Sequence, residues 1–109
     1  MQLPLQITVR DIPQSAALDA LIREKASKLE AMHSRITSCR VVVAPDGKHR
    51  VHGRAIAVSV DVRVPDHEIV VTREHDEDAY AAVREAFDDA GRQLQALVRK
   101  ERDATRRQQ

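Results

Sequence analysis

A chain of 109 residues holds one hydrophobic core and has no room for a second. At 42% apolar and 32% charged residues it packs an interior beneath a heavily charged surface. Its only aromatics, Tyr80 and Phe87, exclude RNA-recognition-motif and OB-type modules, which need ring platforms to stack bases. The single cysteine, Cys39, excludes an internal disulfide and fits a reducing compartment. No run approaches the roughly 18 apolar residues of a membrane span. The opening Met1-Gln2-Leu3-Pro4 has no charged and then apolar leader. The expectation is a soluble, cytoplasmic domain with no membrane partner. Net charge is only +1, but residues 23–63 and 90–109 are basic while 64–89 are acidic. Such segregation points to a polyanionic partner.

Residues 3–9 alternate, with Leu3, Leu5, Ile7 and Val9 on one face, and read as a half-buried edge strand starting near Pro4. Ser15 is placed to cap a helix running to about Met32, with Leu18, Leu21, Ile22, Leu29 and Met32 as its buried stripe. Ile36 to Ala44 contains Val41-Val42-Val43, too β-branched to prefer a helix. Pro45-Asp46-Gly47-Lys48 is a turn. The following strand puts Ile56, Val58, Val60, Val62 and Val64 on one face. Pro65-Asp66-His67 turns the chain into a fourth strand, Glu68 to Thr72.

A last helix is expected from about Asp76 to Arg102, its first turn acidic through Asp76, Glu77 and Asp78. Tyr80, Val83, Phe87, Ala90, Leu94 and Leu97 or Val98 form its apolar face. Residues 1–102 thus make one α+β domain of order β-α-β-β-β-α, and 103–109 a basic, frayed tail. A β-α-β start makes the first two strands parallel, and tight turns make the rest an antiparallel meander. Each strand offers mainly one apolar face, so both helices cover the same side of a four-stranded mixed sheet.

The candidate site residues are basic. Arg92, Arg99, Arg102 and Arg106 align along one flank of the last helix, as successive phosphate contacts require, although cations there also complement the helix dipole. Lys25 falls within the apolar stripe of the first helix and Lys28 at its edge, and Arg35 extends the patch. Spacing alone favours a snorkelling lysine at position 25. His49, His52 and His75 should gather at one end of the sheet. A His-x-x-His in an extended segment does not aim both rings at one point, so no metal is expected. No nucleophile is paired with an oriented base and no glycine-rich phosphate loop is present, so neither an enzyme nor a small-molecule substrate or cofactor is expected.

Several stretches together resemble the ribosome hibernation-promoting factors, also called ribosome-associated inhibitor or sigma-factor modulation proteins. These are Gln6-Ile7-Thr8, Lys25-Ala26-Ser27-Lys28-Leu29-Glu30 with Arg35-Ile36, the valine-rich second strand, and Asp78-Ala79-Tyr80-Ala81-Ala82-Val83 with Arg92-Gln93-Leu94. The resemblance runs from about Leu5 to Lys100. It implies a sandwich similar to double-stranded-RNA-binding domains. It also implies occupancy of the small ribosomal subunit where messenger and transfer RNA bind, silencing translation in stationary phase or stress. Basic residues of both helices would contact ribosomal RNA, and Lys25, Lys28, Arg35 and Arg92 are the matching positions. Longer family members add a dimerising domain, which is not expected in a chain of this length. A rival reading makes the acidic Asp66 to Asp89 region and the open sheet face a protein-binding surface, for a partner or for a second copy.

Overall fold

The computed structural model describes residues 4–45, 55–76 and 78–107. Along the chain these form β1 (Leu5–Val9), α1 (Ala16–Met32), β2 (Ser38–Pro45), β3 (Ala55–Val64), β4 (His67–Asp76) and α2 (Ala79–Arg107). The strands lie in the order β1-β2-β3-β4. β1 and β2 are parallel, with Ile7 opposite Val41, and the other two pairings are antiparallel, with Val41 opposite Val60 and Val60 opposite Val71. This is the expected α+β topology. Pro65 and Asp66 alone join β3 to β4, and Asp66 turns the chain with a φ of 70°, a left-handed conformation that Asp tolerates.

Alternation sets the core. Cys39, Val41 and Val43 of β2 and Ile56 through Val64 of β3, at every second position, are buried with Ile69 and Val71 of β4. Both helices lie on that side. α2 covers β3 and β4 with Val83, Phe87, Ala90 and Leu94, while α1 brings Leu18, Ile22, Ala26 and Leu29 against α2 and β1. None of the described elements covers the opposite sheet face, where Gln6, Arg40, Asp61 and Val70 stand in one row.

Ser15 caps α1, its hydroxyl accepting the Leu18 N–H at 3.2 Å. Asp78, not Asp76, caps α2, accepting the Ala81 N–H on Oδ1 at 2.9 Å. Asp76 instead ends β4, which runs four residues past the expected Thr72. The extension is polar on the helix side, where Arg73 meets Asp89 and His75 meets Glu85, so apolar alternation stops before the strand does. α2 also outlasts its expected end at Arg102, and residues 103–107 are helical. At 29 residues it spans about 43 Å, roughly 10 Å more than the ten-residue strands beneath it. In α1 the buried stripe is narrower than expected, since Leu21 is half-buried and Met32 is 38% exposed.

Candidate nucleic-acid interface

α1 and α2 run in the same direction and are joined at both ends. At their starts the Ser15 hydroxyl lies 2.9 Å from the Tyr80 phenol. At the far end His33 Nε2 lies 3.1 Å from Glu101 Oε1. Between these joints a groove separates the helices, floored by Leu29, Met32, Phe87 and Gly91. Gly91 opens it: a Cβ there would stand 3.7 Å from Leu29 Cδ2 and 3.8 Å from Met32 Cε, so the helices approach without filling the space above. Met32 is exposed for the same reason, having no side chain opposite to cover it.

The groove is rimmed by Lys25 and Lys28 of α1 and by Arg92 of α2, with Asp88 and Gln95 beside them. Three of the cations singled out from the sequence therefore converge on one depression. Lys25 is half-buried on the rim because Ala26 occupies the fully buried position of that turn. The groove continues through Met32 into a notch lined by His33, Arg35, Asp66, Val98, Glu101 and Thr105. From Phe87 to Thr105 the two depressions follow α2 for about 27 Å. Arg99, Arg102 and Arg106 are exposed along α2 and line neither depression.

Few of these charges are tied down. Lys28 pairs with Glu24 at 3.4 Å on exposed side chains, and the exposed Arg92 pairs at 2.9 Å with Asp89, which is 19% exposed. An exposed pair such as Lys28–Glu24 holds together by about 1 kcal/mol or less, so a phosphate competes with it readily. Among the described residues Lys25, Arg35, Arg99, Arg102 and Arg106 form no ion pair. Asp89 also receives Arg73 from β4. The hydrogen bond from Arg92, followed by that from Arg73, holds its carboxyl below the usual carboxylate range.

Part of the acidic segment is engaged in such contacts. Asp78 caps α2, Asp89 holds two guanidiniums, Glu68 pairs with Arg63 at 2.8 Å, and Glu85 lies 3.8 Å from His75. His75 thus faces a carboxylate, while His49 and His52 lie outside the described residues. Among the described residues no group of three or more His, Cys, Asp or Glu side chains could hold a metal ion. His33, which carries no distinguishing spacing in the sequence, is the one buried polar side chain in this region. None of the described helices is long and apolar enough to cross a membrane.

A four-stranded mixed sheet carrying two parallel helices, with a cation-rimmed groove between them, defines a small α+β module. The chain belongs to the Sigma 54 modulation protein / S30EA ribosomal protein family, whose model matches residues 5–102. Its fold is similar to that of a ribosomal subunit interface protein from Coxiella burnetii, with a TM-score of 0.71 and 19% identity over 85% of this chain and 94% of that one. It is similar also to the Protein Y N-terminal domain of Thermus thermophilus, with a TM-score of 0.70 and 23% identity over 89% of this chain and 99% of that one. No curated protein sequence matches it.

Proposed function

We propose that this protein is a ribosome-associated hibernation factor. It lays the α1–α2 face on ribosomal RNA in the decoding region of the small subunit and silences translation in stress or stationary phase. The observation that carries the reading is the convergence of Lys25, Lys28 and Arg92 on one groove. Family membership and the ribosomal subunit interface protein of the same fold support it. The mechanism is electrostatic and steric. Cations neutralise successive phosphates and release counterions, and a rigid domain in the channel excludes messenger and transfer RNA. With no exposed aromatic platform, contact is to backbone and shape rather than to base sequence.

Co-sedimentation with bacterial small ribosomal subunits tests this. With four to seven cations engaged, affinity should fall on the order of 10²- to 10⁴-fold between about 50 and 200 mM salt. Arg92→Glu combined with Arg99→Glu should abolish association. Arg40→Glu, on the outer sheet face, should leave it intact. Salt-insensitive association, or none at low salt, would falsify the reading. Exposure of Val70 (57%) on the uncovered sheet face favours a second reading, in which that face binds a protein or a second copy. Association that survives the helix charge reversals and fails with Arg40→Glu would select it.

A further inference from the structure

We propose that His33 is a positioning residue, one ring that holds the Arg35 segment and the C-terminal arginines of α2 in a single RNA-facing surface. The inference rests on the RNA-binding reading above. His33 is 7% exposed and follows α1 directly. Its Nδ1 accepts the backbone N–H of Arg35 at 3.0 Å. A backbone amide only donates, so Nδ1 carries no proton and the neutral ring bears its hydrogen on Nε2. That hydrogen is donated to Glu101 Oε1 at 3.1 Å.

The two nitrogens therefore reach Arg35 and Glu101, 66 residues apart in sequence, on two segments that both carry candidate phosphate contacts. Arg35 is the residue whose amide is held. Glu101 adjoins Arg102 and lies two residues from Arg99 and about one and a half turns from Arg106 on α2. The notch around the ring is faced by Arg35, Asp66, Glu101 and Thr105, so the ring joins the Arg35 segment to the turn of α2 that carries Glu101, next to Arg102. A ring that merely filled space would need neither nitrogen matched to a partner on a different element. The other joint, between Ser15 and Tyr80, fixes the helix starts but lies far from Arg35 and Arg102, leaving register at this end to His33.

The test is binding to purified bacterial small ribosomal subunits, measured against salt, for the full chain and for His33→Ala, His33→Asn and Glu101→Ala. Folding of each is checked by circular dichroism. His33→Ala should bind about tenfold more weakly for each phosphate that its cations no longer reach. Its slope of log affinity against log salt should be shallower by about one to two. His33→Asn keeps an acceptor for the Arg35 amide but falls short of Glu101, and should lie between the two. Glu101→Ala is decisive because its sign separates two causes. Removing an acidic group from a surface that meets RNA strengthens binding by bulk charge alone, whereas loss of position weakens it. Glu101 is 38% exposed and alanine favours helix, so this variant remains folded even if His33→Ala does not. Weaker binding by Glu101→Ala, with a shallower slope, supports the inference. Unchanged or tighter binding by folded Glu101→Ala overturns it and leaves the ribosome reading standing. Absence of salt-dependent binding by the unaltered chain overturns both.

Discussion

The hydroxyl of Ser15, which caps α1, lies 2.9 Å from the phenol of Tyr80 in the first turn of α2, joining residues 65 apart in sequence. One side chain thereby ends a helix and links it to another. Tyr80→Phe removes only the link and should cost about 1 kcal/mol in urea unfolding. Ser15→Ala removes cap and link together and should cost about 1–2 kcal/mol. A double-mutant cycle between the two should return a coupling of about 0.5 kcal/mol or more, and additivity would show the contact to be idle.

Gly91 lies inside α2, where glycine is unfavourable by about 1 kcal/mol relative to alanine. The new Cβ of Gly91→Ala meets Leu29 and Met32 at ordinary contact distances. This variant should therefore raise the unfolding midpoint, by up to about 1 kcal/mol in stability, with binding to small subunits little changed. A lowered midpoint would mean that the helices cannot accept even a methyl group at this crossing.

Asp89 gives the fold an acid-sensitive joint between β4 and α2. Its carboxyl is held below the ordinary value of 3.8 by Arg92 and then Arg73. The folded state thus binds that proton less readily than the unfolded chain. The contribution of Asp89 is whole above the unfolded value and is lost as pH falls through the depressed folded one. Urea titrations from about pH 6 downward should show stability declining below about pH 4. Asp89→Asn should flatten that decline. An identical acid profile for the variant would show that Asp89 is not responsible.

Cys39 responds at the other end of the scale. Burial, followed by the negative charge of Asp61, raises its thiol from 9.0 to about 11. The folded state then keeps a proton that the unfolded chain releases, so stability is full below pH 9 and declines as pH rises towards 11. At neutral pH the thiol is protonated and 1% exposed. Thiol reagents should react with it only at the rate at which the protein unfolds. Prompt native-state labelling would contradict this packing.

The central strands were legible because every second residue from Ile56 to Val64 is apolar and the partners of β2 and β4 follow suit. The end of β4 was not, because Arg73 and His75 face α2 through ion pairs and carry no apolar period. The same acidic run hid the start of α2: Asp76 and Asp78 look alike in sequence, yet one completes a strand and the other caps a helix. Residues 103–107 read as a tail for want of apolar spacing, but they continue α2 beyond the sheet, and Thr105 at the notch donates back to the Glu101 carbonyl at 3.0 Å. At the candidate interface the row of basic residues on α2 was visible from spacing, and the matching lysines of α1 were suggested by resemblance. His33 was invisible by either route. Its partner stands 68 residues away, and no local pattern encodes a contact made only when two helix ends meet.

The uncovered sheet face has a practical consequence. Val70 projects from it at 57% exposure, on the side of the sheet opposite the helices, while the native thiol is buried. A cysteine introduced at position 70 would therefore accept a maleimide dye at a single site. The fluorophore would report from the side of the sheet opposite the α1–α2 groove, and quenching or protection there on binding would distinguish the two faces.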